Sequence, residues 1–488
     1  MDTKTPTKGS EPVSDGVKVR HRRKSSILRG RPRGDTGVPA LATLYNQSRG
    51  NNELKQNTFT SSDQSVLPNT QQKTPSYVQR WKHLSLKHTW LNPLMICLAV
   101  VSVYLVNPSP SNPVYPALFV SYPVPRPGNA DSSEPIQYGK GRKDLIFVAF
   151  YTVFLSFTRE FVMQRLLRPL AIRWTPRKQA RFMEQAYTAL YFVILGPFGL
   201  YVMSKSNLWY FNTTAMYEGY PHLTNSGVLK GYYLFQASYW AQQMIVLLLM
   251  LEKPRKDFKE LVAHHIITLS LILLSYVFHF TKMGLPVFIT HDISDFFLAT
   301  SIILNYMDSP IVIPFFIVFI GAWTYLRHYQ NIRILLSILP LSSILPEAIN
   351  GYISPVYTAF VKGLDPLVAT ISNISPSTGG LLTRILHGPW PASQFATIGP
   401  FGLDWATEQY KCAASQWTSF LLLGALQCLN LFWLYLIFRI LWRMARTGGE
   451  EKVDDRSESD SDEDQERADE LRRMKEEEKD QEGQKKSA

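Results

Sequence analysis

The middle of the chain is a succession of apolar runs, nearly free of charge and each close to the ~20 residues that carry a helix across a bilayer. A soluble core helix is shorter and keeps one polar face, so these runs predict membrane spans. The mean hydropathy of -0.08 hides this, because it averages strongly polar ends with a very apolar middle. About eight spans are expected: Leu91 to Val106, Leu145 to Val162, Ala186 to Met203, Val228 to Leu251, Leu261 to Phe280, Leu285 to Leu304, Ile311 to Leu335 and Trp417 to Leu441. The fold class is all-α and multi-pass, with Pro197 expected to kink the third span.

The formal net charge of +12 points to a membrane surface rather than to nucleic acid. Positive charge gathers in the N-terminal tail, from Arg20 to Arg33, and in short segments beside the apolar runs, as it does on cytoplasmic flanks. An eight-span path with a cytosolic N-terminus puts the Arg165–Arg181 segment, the Lys253–Lys259 segment and Arg439, Arg443 and Arg446 on the cytosolic side. Both tails are then cytosolic, and the charge-poor loop from about Pro340 to Ser415 is lumenal. The three cysteines, Cys97, Cys412 and Cys428, form no metal-type pair and no disulfide framework. The long polar N-terminus leaves insertion to the internal spans rather than to a cleavable signal.

Residues 1–80 lack the apolar content to offset ordering and are expected to be a disordered basic tail. Residues 81–173 hold the first two spans and a lumenal loop, and residues 448–488 form a charged tail. That tail ends Lys485-Lys486-Ser487-Ala488, a di-lysine pattern that resembles an endoplasmic-reticulum retrieval address. Asn212-Thr213-Thr214 is a glycosylation sequon in a loop assigned to the lumen. Ser457, Ser459 and Ser461 each have an acid three residues on, and Ser25 follows Arg20-x-Arg22. All four resemble kinase sites, where phosphate would add about -1.5 to -2 charge.

Ionisable groups inside spans are expensive and mark function by default. The fifth run carries His264-His265 and continues to Ser275, Tyr276 and His279; the sixth carries His291-Asp292-Ile293-Ser294-Asp295. A lone membrane histidine is ordinarily glue between helices. Three imidazoles and two carboxylates on adjacent spans are hard to explain that way. On a helix His291 and Asp295 share a face while Asp292 points about 100° away. Adjacent histidines diverge too far to chelate one ion, and no spaced histidine boxes occur, so no metal is expected. What remains is histidine with carboxylate, a base or nucleophile and the acid that orients it, acting on a lipid that reaches the membrane interior.

The stretch from Lys256-Asp257-Phe258 through Ala263-His264-His265 and His279-Phe280-Thr281 to His291-Asp292-Ile293-Ser294-Asp295 resembles the Lag motif of fungal ceramide synthases. Phe182-x-Glu184-Gln185, Trp209-Tyr210-Phe211, Tyr239-Trp240-x-Gln242-Gln243, Arg327-His328-Tyr329 and Gln409-Tyr410-Lys411-Cys412 extend the likeness over about Trp174 to Arg443. The resemblance implies a TLC catalytic domain over residues 174–447, six or seven of whose helices form a barrel around a lipid cavity. It implies N-acylation of a sphingoid base, sphinganine or phytosphingosine, with acyl-CoA as co-substrate and no other cofactor. His264 would be the nucleophile or base, with His265, Asp292 and Asp295 as its partners; His291, Trp323, Arg327 and His328 would line the substrate site, and Lys256 would attract the nucleotide of acyl-CoA. Both a direct general-base route and a covalent acyl-imidazole route fit these residues. A small single-span accessory subunit and pairing with a second, related chain are implied partners. The contrasting expectation, a non-enzymatic protein of lipid trafficking or sensing, makes no use of the paired histidines.

Overall fold

The computed structural model describes residues 77–125, 135–172, 176–252, 257–307, 309–338 and 394–446, with isolated positions between 362 and 373. The expectations for Ser25, Ser457, Ser459, Ser461 and Lys256, and for most of the loop after Pro340, lie outside the described residues.

Helix α1 (Tyr77–Lys87) leads to α2 (Leu91–Val106), the short α3 (Tyr115–Leu118) and the two-residue strand β1 (Gln137–Tyr138). Helix α4 (Lys143–Phe161) continues through a π-helical stretch (Val162–Leu167) into α5 (Arg168–Ala171). Next come α6 (Pro176–Ser204), β2 (Asn225–Ser226) and α7 (Gly227–Leu248), whose first turn is capped by Ser226 accepting from the Leu229 amide. Helices α8 (Phe258–Val277) and α9 (Thr281–Tyr306) are joined by a tight turn. Then α10 (Val312–Trp323), a π-helical stretch (Thr324–Gln330) and α11 (Asn331–Ile338) follow without a break, and α12 (Ala413–Arg446) closes the bundle. β1 and β2 pair antiparallel, with Gln137 opposite Ser226.

Each of the eight expected runs falls on a helix, but six of the described helices are long and apolar enough to cross a membrane: Lys143–Ala171, Gln179–Ser204, Phe258–Val277, Thr281–Tyr306, Val312–Ile338 and Ala413–Met444. The other two fall short for different reasons. Helix α2 has 16 residues, about 24 Å at 1.5 Å per residue, less than a ~30 Å hydrocarbon core. Helix α7 is long enough, but Lys230, Gln236, Gln242 and Gln243 interrupt its apolar residues. Eleven of its side chains are buried against the other helices, so its polar groups meet protein rather than lipid. Pro197 sits inside α6 without ending it.

Six helical rods, α6, α7, α8, α12, the α10–α11 rod and α9, succeed one another around a common interior; α4 packs outside against α7, and α2 packs on α4. The most extensive pair is α6 with α9. Glycines permit that approach: a Cβ on Gly199 would lie 2.9 Å from the Ile289 side chain and 2.6 Å from the Tyr232 hydroxyl. Small residues at helix contacts are how backbones come close where no hydrophobic drive separates helix from lipid. Side chains of Tyr191, Tyr232, Leu285 and Ile289 fill one half of the interior. The expected barrel is therefore a cup, open at the end where α8 begins and filled toward the end where it stops.

That filled end is tied by a polar cluster. Lys230, 1% exposed, pairs with Asp144 at 2.7 Å and donates to the carbonyls of Ser121 and Gly139. Lys140 Nζ donates to the Tyr276 carbonyl and to Nδ1 of His279, both at 3.1 Å, and His279 Nε2–H donates to Glu408 at 2.9 Å. His279 occupies the turn between α8 and α9 at φ 63°, some 15 residues and about 22 Å along from His264, so it is a turn residue rather than a member of the histidine cluster. Burial lowers the Lys140 amine from 10.5 to about 7; burial and then the Lys140 charge lower His279.

Both shifts have one sign for stability. Where the folded pKa lies below the unfolded one, the unfolded chain binds more protons in the interval between, so stability falls as pH falls through it. For Lys140 that interval runs from 10.5 to about 7; for His279 it starts at 6.5 and extends below. The melting temperature of the purified protein is expected to drop on acidification from pH 8.5 to 5. Lys140→Met should flatten the part above about pH 7, and His279→Asn, which tolerates positive φ, the part below 6.5. Unchanged slopes in both variants would place the acid sensitivity elsewhere.

Candidate active site

At the open end the six rods surround a cavity of about 550 Å³, within the range of small-molecule sites. Its floor is the first two turns of α8, which present His264 and His265, 5% and 7% exposed. Trp240 of α7 and Trp433 of α12 stand edge-on to the His264 ring, with centroids 5.6 and 5.3 Å away. His265 lies 5.8 Å from His264 and His291 of α9 6.3 Å from it. Beyond Trp240 and His291 a second crevice of about 50 Å³, walled by Ile272, Val287, Phe288 and Leu426, continues toward the filled end. The imidazoles thus sit where a roomy, partly polar cavity meets a narrow apolar one.

Hydrogen bonds fix the tautomers of two rings. His265 Nδ1–H donates to the Leu261 carbonyl at 2.8 Å, and His291 Nδ1–H to the Val287 carbonyl at 2.8 Å, each one turn back along its own helix. Their Nε2 atoms are left as lone-pair acceptors, and that of His291 is buried without a partner among the described residues. Nδ1 of His264 is likewise buried and unpartnered. Buried polar atoms are nearly always satisfied, so orphans grouped in this way mark a candidate site for a bound molecule.

The two aspartates part company. Asp295 lines the cavity and forms an ion pair with Arg327, whose guanidinium also donates to Ser294 Oγ at 2.6 Å and Asn430 Oδ1 at 3.0 Å and lies over the Trp323 ring at 4.2 Å. Asp292, fully buried, turns toward α7 and accepts from Gln236 and from the Tyr232 hydroxyl. Of the residues marked out in the sequence, the structure brings His264, His265, Asp295, Trp323 and Arg327 onto the main cavity. His291 lies behind His264 on the crevice. His328 accepts from Gln427 at 2.7 Å and faces α12, away from the residues that line either space. Asn212 is exposed in the loop after α6, at the filled end.

Sequence reasoning missed the indole walls and the mouth. Trp240 stood in a motif, yet nothing in the last span marks Trp433 apart from its neighbours. At the mouth Arg159, 3% exposed, bridges Glu160 at 2.6 Å and Glu252 at 2.5 Å. A buried arginine inside the Leu145–Val162 run was the available signal.

Residues 181–439 match the TLC domain, and that stretch covers the α8–α9 histidine and aspartate cluster and its indole walls. The chain belongs to the TLC-domain family. It is 42% identical to a sphingosine N-acyltransferase of Schizosaccharomyces pombe over 79% of this chain and 84% of that protein. A sphingosine N-acyltransferase of Saccharomyces cerevisiae is 39% identical over 92% of this chain and 94% of its own length. A sphingosine N-acyltransferase-like protein of Gibberella moniliformis is 43% identical over 74% and 80%.

Proposed function

We propose that this chain is a ceramide synthase, transferring a fatty acyl group from acyl-CoA to the amine of a sphingoid base. The observation that carries the reading is His264: an imidazole with a bare nitrogen, walled by two indoles inside a spanning helix, in a chain whose fungal relatives are named as sphingosine N-acyltransferases. A sensor needs lipid-shaped space but no unpartnered imidazole at its floor.

His264 attacks the thioester carbonyl, the C–S bond breaks, and CoA leaves as a thiol once it takes a proton. The acyl-imidazole is a good acyl donor, and a dry wall of indoles protects it from hydrolysis. The sphingoid ammonium then gives a proton to a free Nε2, for which His265 is placed by its tied Nδ1–H. The amine attacks, the C–N bond forms, and His264 is released. Intact-protein mass measurement tests this route. Purified protein given a long-chain acyl-CoA alone should gain one acyl mass, lose it on addition of sphinganine, and gain none as His264→Ala. Ceramide formed with no adduct at any time point would leave His264 as a base in the direct route.

The open end, where α8 begins after the basic Lys253–Lys259 stretch of sequence, faces the cytosol in this reading, and Lys256 is the residue proposed to draw the anionic nucleotide. The filled end faces the lumen of the endoplasmic reticulum. Asn212 then receives glycan: endoglycosidase treatment is expected to speed the migration of the wild type but not of Asn212→Gln. A chain whose mobility never changes, with a tag at its C-terminus protected in intact microsomes, would invert this orientation. A small single-span subunit and a second TLC-domain chain are the expected companions, and copurification tests both.

A further inference from the structure

Four carboxylates line the main cavity, and three have cationic partners: Glu252 with Arg159, Glu184 with Arg181 at 3.3 Å, and Asp295 with Arg327. Asp257 is different. It is 6% exposed, its Oδ2 accepts the Trp433 indole N–H at 3.2 Å, and its Oδ1 is buried without a hydrogen-bond partner among the described residues. Its place in the chain makes this more telling. Asp257 is the N-cap residue of α8, where an aspartate side chain normally accepts from the helix's first amides, yet it makes no cap bond. The carboxylate has forgone its local partner and lines the cavity instead. A buried carboxylate oxygen left unsatisfied is costly unless something outside the chain satisfies it.

The second partner of Trp433 says what that something reaches. The indole that holds Asp257 Oδ2 also stands edge-on to the His264 ring at 5.3 Å, so one side chain separates the orphan carboxylate from the imidazole. Acyl-CoA brings phosphates, which a carboxylate repels. The other substrate brings a primary ammonium with three N–H donors, which a carboxylate binds with a charge-assisted bond. We propose that Asp257 Oδ1 binds the ammonium of the sphingoid base and selects an amine-headed lipid over neutral alcohol-headed lipids. This rests on the reading of the chain as a ceramide synthase. Asp257 captures the ammonium as the base enters; as the amine advances past the indole, one proton passes to an imidazole nitrogen, freeing the lone pair for attack. The whole step turns ammonium and thioester into amide, thiol and one proton, so no further reactant is needed.

Kinetics of the purified full-length protein test the assignment. Asp257→Asn keeps an acceptor for Trp433 and removes only the charge. It is expected to raise KM for sphinganine about 10-fold or more while KM for acyl-CoA stays within about twofold, and Asp257→Glu should recover part of the loss. KM values for both substrates that move together, or neither moving, would overturn the proposal. A wild-type measurement stands in if the variant fails to accumulate: octadecane-1,3-diol, the chain without its amine, should inhibit with a constant at least about 10-fold above the KM of sphinganine. Equal values overturn the ammonium site. Failure of the wild type to acylate any sphingoid base is a different result; it removes the ceramide-synthase reading and this inference with it.

Discussion

His264→Ala is expected to lower acyl transfer by more than about 10³-fold while the protein still accumulates in the membrane, because in the proposed mechanism it removes the group that attacks the thioester carbon. Among the described residues the ring makes no hydrogen bond through Nδ1, so its loss breaks no network there. It leaves a small void between Trp240 and Trp433, of the kind that destabilises by a few kcal/mol at most. His265→Ala is expected to fall by about 10²-fold or more, since the proposed mechanism gives it the proton rather than the acyl group. It also strips the Leu261 carbonyl of one donor, though that oxygen keeps its helical bond. The assay is ceramide formation by purified protein with sphinganine and acyl-CoA. Near-normal turnover in His264→Ala would remove this ring from the chemistry, whatever the resemblance suggests.

How much of this was legible beforehand depended on how local the signal was. Run length alone placed every expected span on a helix, because backbone satisfaction in lipid is decided inside one segment, though α6 starts ten residues before Ala186 and the helical run from α4 continues to Ala171, past Val162. It could not tell that α7 is an interior helix, since whether Gln236 and Gln242 face protein or lipid is set by helices far away in sequence. Helical periodicity put Asp292 and Asp295 on different faces, three residues and about 60° apart, yet it named neither partner. Gln236 is 56 residues before Asp292, and Arg327 is 32 residues after Asp295. Arg327 was read as a substrate contact, and its tie to Asp295 comes only from the packing of the π-helical stretch on α9. His279 illustrates the opposite error. It lies on the same apolar run as His264, but one helix length of rise carries it to the other end of the molecule.

That Arg327–Asp295 pair is the other place where a single change should be severe. Arg327 is 2% exposed and holds Asp295, Ser294 and Asn430 from three directions, joining α9, the α10–α11 rod and α12 at the cavity wall. Replacing it with Met removes the cation and leaves the carboxylate in a low-dielectric interior with its charge uncompensated. Breaking a buried pair from one side typically costs about 3–5 kcal/mol, whereas replacing both partners with apolar groups of similar volume is often close to neutral. Arg327→Met is therefore expected to lower the melting temperature of the solubilised protein sharply and to reduce its yield. Arg327→Met combined with Asp295→Leu should recover most of that stability. The recovery separates charge from packing. Both variants lose the bonds to Ser294 and Asn430, so those losses cancel in the comparison, and what returns is the penalty of the unpaired carboxylate. A double variant as unstable as the single one would put the damage in those lost bonds and in the Trp323 stack. The pair would then be a scaffold of hydrogen bonds in which charge matters little.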